Sequence, residues 1–296
     1  MHAAEIFQLL VAGVTVGAVY ALAALGFTII YNATGIINFA QGEFVVLGGL
    51  FFYSLHVVAK LPLLAALILA VLLVALVGWL MERLTIRPLI GSPVVTLIII
   101  TVGLSVLLRG AAKLIWGPAS LAVPAFSGDR SVLFAGAAVH LQYLWVLALA
   151  ALAVITVRLF FDHTLAGKAM QACAINVEAA RLVGINVGRM IQASFALSAA
   201  LSGLAGVVIS PITFASHDGG TVLALKGFCG AIIGGLGNGL GAVVGGVLVG
   251  VIENLAVGFM PEGCSGYQNA FAFLILILVL FLRPGGLFGS QHTEGL

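Results

Sequence analysis

Apolar residues run through this chain in long unbroken blocks separated by short polar stretches. Nine blocks are legible, near positions 6–30, 42–59, 61–84, 93–115, 141–161, 190–212, 222–236, 239–260 and 270–282. A block of about 18 or more apolar residues crosses a bilayer core about 30 Å thick. Lipid cannot hydrogen-bond a backbone, so only helices and closed barrels span it. Barrel strands alternate apolar and polar residues over about 10 positions, and stretches such as Leu61 to Leu80 do not alternate. The pattern predicts an all-α integral membrane protein, a polytopic bundle of about 8–10 segments in a single transmembrane domain over residues 1–296. Two polar stretches stand out, 116–140 and 162–189.

Composition removes the soluble alternative. Charged residues make up 7% of the chain and hydrophobic ones 62%, where a soluble domain carries about 25% charged residues. The net charge of +2 is spread without a basic run, so nothing here tracks a nucleic-acid backbone. Cys173, Cys229 and Cys264 form no C-x-x-C pair and read as small buried apolar residues. The histidines (His2, His56, His140, His163, His217, His292) lie at chain or segment ends with no i, i+4 pair. No metal or other cofactor is expected. Met1 to Glu5 lacks a positive region and the apolar run continues through Ile30, so the first block is expected to remain a membrane helix.

Short-loop Lys and Arg set orientation. Arg83, Arg87, Arg158, Lys168, Arg181, Arg189 and Arg283 all fall on one side if nine crossings start from an external N-terminus. That side is then cytoplasmic, with 162–189 cytoplasmic and 116–140 external. Arg109, Lys113 and Arg130 fall on the wrong side of this rule.

The two halves of the chain share a weak internal repeat. Gly35-Ile-Ile-Asn-Phe-Ala-Gln-Gly42 leads into a short Gly-interrupted block, and Gly227 to Gly239 with Gly241, Gly245 and Gly246 does the same later. Paired interrupted segments point to a transport pathway. Small residues also let helices approach closely, a use that fits Gly13-x-x-x-Gly17 and Gly246-x-x-x-Gly250. Five glycines in the eight positions 234–241 forgo about 1 kcal/mol each in a helix, so a break is expected there. Intramembrane ionisable groups are costly and suggest function. A solute-path lining is therefore expected from Asn38, Phe39, Gln41 and Glu43 in the first half and Gly234, Gly235, Gly237, Asn238 and Glu253 in the second. Glu43 also suits a helix N-terminus, Glu253 suits an interhelix bond as well as the path, and Lys226 is read as snorkelling to the interface in preference to joining that lining.

No G-x-x-x-x-G-K-[ST] loop is present, and Gly167-Lys168 has neither the earlier glycine nor a following Ser or Thr. Energised transport would need a separate ATPase docking on 162–189. Within it, Glu178 and Arg181 suit a helix with a local ion pair, ended by Gly184. Glu178-Ala179-Ala180-x-x-x-Gly184 resembles the E-A-A-x-x-x-G loop by which ABC importer permeases grip their ATPases. The stretch from Gly167-Lys168 through Asn176, then Ala180-Arg181 to Asn186, is similar to the branched-chain amino acid permease family. So are 35–43, 230–238 and Arg283-Pro-Gly-Gly-Leu-Phe-Gly289, in the expected order. The I-x-L-P that often follows the E-A-A loop elsewhere is absent, so the resemblance rests on the four motifs together.

The resemblance implies the shorter permease subunit of an importer in a bacterial inner membrane. Gly167, Lys168, Glu178, Ala179, Ala180, Arg181 and Gly184 would couple it to two ATP-binding subunits. A second homologous permease would complete a heterodimer, an extracytoplasmic solute-binding protein would deliver the solute, and lipid would surround the whole. Urea and short amides are solutes of the same wider family and stay open. A stand-alone channel would use the Gly-rich segments as a filter. An intramembrane serine enzyme founded on Gly103-Leu-Ser105 lacks the second glycine of G-x-S-x-G.

Overall fold

The computed structural model describes residues 3–128, 130–134, 137–260 and 268–289; His2, Asp129, Cys264 and His292 lie outside the described residues. Eleven α-helices are present among these: α1 (Ala3–Thr34), α2 (Gln41–Phe52), α3 (Leu63–Met81), α4 (Val94–Trp116), α5 (Leu141–His163), α6 (Leu165–Ile175), α7 (Val177–Leu182), α8 (Val187–Thr213), α9 (Gly220–Gly234), α10 (Gly239–Phe259) and α11 (Gln268–Leu282). Seven helical spans are long and apolar enough to cross a membrane, and α9 and α11 are shorter apolar helices. These nine correspond one to one with the nine blocks read from the pattern.

The centre is α1, whose residues from Ala18 to Ile30 are buried on every side, packed by α10, α8, α9 and α5. Such a helix needs no amphipathic stripe, because no face meets water or lipid. Apolar burial does not by itself bring helices together in lipid, so close backbone approach takes over. A Cβ on Gly13 would lie 2.8 Å from the Val251 Cα, and one on Gly17 would lie 2.7 Å from the Val247 carbonyl oxygen. Gly246 and Gly250 meet Ala21 and Gly17 in return. The two G-x-x-x-G stretches are thus one antiparallel contact. The same device seats α2 on α8, where Gly48 meets the Gly203 backbone and Gly206 meets the Val45 carbonyl.

The α2 region departs from the expected picture. No break occurs at Gly48-Gly49; the helix runs on through a π-helical turn, Tyr53–Val58. The interruption comes earlier, in the non-helical residues between Gly35 and Ala40. Gln41 then meets the Ser198 hydroxyl, which donates to the Gly26 carbonyl. Gly26 lies eight residues back from the end of α1, about 12 Å deep at 1.5 Å per residue. So α2 starts inside the bundle and not at its edge. The expected break in 234–241 is present: α9 ends at Gly234, Gly235 (φ 100°) and Gly237 (φ 97°) turn the chain, and Asn238 caps α10 by accepting from the Gly241 amide at 2.9 Å.

The polar stretch 162–189 folds as α6, α7 and the start of α8, each opened by a side-chain cap. Thr164, Asn176 and Asn186 accept from the amides of Gly167, Ala179 and Arg189. The 116–140 stretch carries an unforeseen antiparallel hairpin, β1 (Ser131–Phe134) and β2 (Ala137–His140). It is tied to the α8–α9 loop by paired backbone bonds between Leu121 and Ala215.

Gly48→Val in the isolated chain should lower thermal stability in detergent by several degrees, since overpacking a tight contact costs about 1–3 kcal/mol. Gly103→Ala, which has no atom within 4 Å of the added carbon, should not. Equal melting of the two variants would remove the close-contact account.

Candidate functional site: a polar wall between α2, α4 and α9

The N-termini of the two late-starting helices, α2 and α9, meet. Gly42 touches the Gly220 carbonyl, and a Cβ on Gly220 would sit 3.0 Å from Glu43 Oε2. Both helix dipoles place their positive ends beside the Glu43 carboxylate. Glu43, 2% exposed, is held by Arg109 Nη2 at 2.6 Å and by the Ser105 hydroxyl at 2.9 Å. The same Nη2 donates to the Thr221 hydroxyl on the first turn of α9. Four residues further back on α4, the Thr101 hydroxyl accepts from the Phe39 amide at 3.2 Å. Thr101, Ser105 and Arg109 recur every four residues, so α4 turns one polar stripe toward α2.

Below this lies a second, closed set. Gln41 Nε2 donates to the hydroxyls of Ser198 (2.8 Å) and Ser202 (2.7 Å). Asn38 accepts from the Ala40 amide and donates to Gln41, which fixes the turn into α2. Phe39 packs on Phe228, ring centres 6.4 Å apart. Asn38, Phe39, Gln41 and Glu43 therefore lie together at the start of α2, joined by Arg109, Ser105, Thr101 and Thr221.

The second-half residues lie elsewhere. Gly234, Gly235, Gly237 and Asn238 form the α9–α10 turn, sealed by the chain's tail. Leu287 and Phe288 donate backbone bonds to Ile233 and Gly234, Asn238 donates to the Phe288 carbonyl, and Asn32 donates to the Gly237 carbonyl. Gly237 and Asn238 also border a cavity of about 350 Å³ between α1, α5, α6 and α10 that none of the Glu43 group lines. Glu253 is fully buried on α10, paired with Lys226 at 2.5 Å and accepting from Gln268 at 2.9 Å. Among the described residues it shares no hydrogen-bond partner with Glu43. The snorkelling reading of Lys226 is corrected: its ammonium points inward, over the Tyr20 ring (5.5 Å) and onto Glu253. A carboxylate is available inside, and a buried charge pairs before it is left alone.

The reading of Arg109 as an outside charge also changes. It sits within α4 and answers Glu43. The signal was present as the four-residue polar spacing in an apolar helix, but it names a partner only once α2 is known to start inside the bundle. Ser105, weighed as a nucleophile, donates to Glu43. In the α8–α9 loop, the Ser216 hydroxyl holds the Asp218 carboxyl below the ordinary carboxylate range, with smaller contributions from His217 and Arg109.

The expected coupling residues cluster on α6 and α7. Gly167 packs directly on the Phe160 carbonyl and Phe161 Cα, leaving no room for a side chain. Lys168, Glu178, Ala179 and Arg181 are exposed, and Ala180 is buried. No ion pair joins Glu178 to Arg181 among the described residues. Gly184 (φ 86°) ends α7 with paired reverse bonds, Ile185 N–H to the Ala180 carbonyl and Gly184 N–H to the Arg181 carbonyl, both 3.0 Å. Ile175 and Leu182 stand 87% and 89% exposed beside the exposed Val183. Burial in the same module pushes the Cys173 thiol pKa up.

Comparison with known proteins agrees with this architecture. The family model for the branched-chain amino acid transport system permease component matches residues 9–280. The chain is 31% identical to the high-affinity branched-chain amino acid transport system permease protein LivH of Salmonella typhimurium, over 95% of both chains. It is also 31% identical to the corresponding permease protein BraD of Pseudomonas aeruginosa, over 97% of both. Among solved structures, PsaBC from Streptococcus pneumoniae in complex with Fab shares the fold, with a TM-score of 0.53 at 14% identity over 96% of this chain and 97% of that one.

Removing one partner of the buried pair, as in Lys226→Met, should cost about 3–5 kcal/mol, and Lys226→Met with Glu253→Met should recover most of it. Thermal unfolding in detergent measures both. A single variant as stable as the parent would show that the pair does not hold α9 to α10.

Proposed function

The chain belongs to the branched-chain amino acid transport system permease family, and from that premise we propose that it forms half of the membrane pathway of an ABC importer. The solutes are branched-chain or other small apolar amino acids, and the membrane is a bacterial inner membrane with α6–α7 on its cytoplasmic side. The rest of the assembly is a second homologous permease, two ATP-binding subunits and an external solute-binding protein.

The observation that carries this reading is the exposed apolar surface of α6 and α7. Leu165, Ile175, Leu182 and Val183 are uncovered in the most polar stretch of the chain. Exposed apolar groups rimmed by charge mark a protein contact. An ATP-binding subunit with an apolar groove fits them, with Gly167, Lys168, Glu178, Ala179, Ala180, Arg181 and Gly184 shaping the ridge. Residues 162–189 then act as the coupling loop of a single permease domain, and 116–140 as its external loop.

A route for the motion follows from the core. Cys173 and Ala180 belong to one buried cluster with Ile36, Ala40, Phe44, Val187, Ile191 and Phe195. A shift of α6–α7 therefore presses on the Gly35–Ala40 segment, which carries Asn38 and Phe39 and leads directly into Gln41 and Glu43 on the first turn of α2. Two packed arrangements of that cluster would convert nucleotide-driven closure into a change of access at the polar wall. Glu253 and the Gly234–Asn238 turn act behind the wall, holding α9 and α10 while α2 moves.

Co-expression with its ATP-binding subunits tests this. Leu182→Asp and Ile175→Asp, both at uncovered sites, should leave the permease folded but reduce recovery of the ATPases by tenfold or more. Leucine-type solutes should stimulate ATP hydrolysis only in the intact assembly. Full recovery of the ATPases on both variants would refute the docking surface.

A further inference from the structure

Arg109 makes less use of its guanidinium than its position demands. The group has five N–H donors, yet only Nη2 is engaged, with Glu43 and Thr221. Nε is buried without a partner, and Nη1 donates to nothing among the described residues. The side chain is 35% exposed, in a helix whose neighbouring Val106 and Leu107 are open to the exterior of the chain. A lone Arg facing lipid at helix centre costs about 2.5–3.5 kcal/mol even on insertion scales. The open side of Arg109 therefore faces water or a polar group. Thr221, also exposed, stands beside it. Along the same face, two turns of α4 (about 12 Å) lead from Arg109 past Ser105 to Thr101, next to the partly exposed Phe39–Phe228 pair.

We propose that Arg109 is the carboxylate-selective contact of the pathway. The free Nη1 of its guanidinium takes an oxygen of the α-carboxylate of a passing amino acid, Glu43 acts as the positioning residue that holds the guanidinium in place, and the aromatic pair receives the apolar side chain. A cationic N–H bonds an anionic carboxylate oxygen more strongly than the neutral carbonyl of urea or an amide. The site thus selects solutes bearing an α-carboxylate over neutral amides of the same size. The inference rests on the pathway reading above and adds to it the residue that discriminates.

The test uses the complete importer in proteoliposomes. Arg109→Gln should lower leucine uptake by about tenfold or more, the loss expected when a charged hydrogen bond of about 1.5–3 kcal/mol is removed. Arg109→Lys should recover part of that, while Lys113→Gln, exposed one turn further on, should transport normally. Phenylglyoxal modification of Arg109, followed by peptide mapping, separates a contact from a support. Millimolar leucine should protect the residue, and leucinamide or urea should not. Equal protection by leucinamide, no protection by leucine, or wild-type uptake by Arg109→Gln would overturn the proposal. Thr221→Cys distinguishes the two levels. If a membrane-impermeant thiol reagent reaches it but leucine leaves Arg109 unprotected, only the selectivity assignment fails. If the reagent never reaches it, the pathway reading fails and takes the assignment with it.

Discussion

Backbone-to-backbone approach at glycine is the constraint on which this fold depends. Inside a bilayer an apolar face gains little by leaving lipid for another apolar face. What remains is van der Waals contact, which grows steeply as helix axes close. Gly13, Gly17, Gly246 and Gly250 let α1 and α10 touch along their lengths, and Gly48, Gly203 and Gly206 do the same for α2, α3 and α8. These contacts fix α1 as the central post. They also set the depth at which α2 and α9 begin, and so where two helix N-termini converge.

The ionic groups then divide by exposure. Lys226 and Glu253 are sealed among α1, α9, α10 and Gln268 of α11. A closed pair of that kind locks register more than it adds net stability. Glu43 and Arg109 share the chemistry but not the enclosure, because α4 covers α2 with only one face and leaves Arg109 half open. A sealed pair suits a hinge support. An open pair beside two interrupted helices suits a surface that meets solute.

Between the exposed ridge of α6 and α7 and that surface lies a single packed cluster, with Ala180 and Cys173 at one end and Phe44 at the other. Dense packing of this kind transmits displacement and does not absorb it. The re-entrant Gly35–Ala40 segment is the natural element to move. Its one helical bond at the α1 end is Gly35 N–H to the Tyr31 carbonyl, and beyond that it is held by the Asn38 turn, the Gln41–serine set and the Phe39 bond to Thr101.

The sequence by itself determined the nine apolar segments, the helical class, the break at 234–241, the short helix ended by Gly184 and the family. Each of these is set by local composition, by solvent or by glycine geometry, which neighbours along the chain express. It also brought Asn38, Gln41 and Glu43 under suspicion, because polar groups in an apolar run cost free energy wherever they sit. Only the tertiary structure decided their partners. Arg109 read as a misplaced surface charge and Lys226 as an interfacial one, since a charge near a segment end has a local explanation that needs no fold. The sequence separations of 66 from Glu43 to Arg109 and 27 from Lys226 to Glu253 are closed by helix packing alone. No local pattern encodes which distant charge will stand at the same depth.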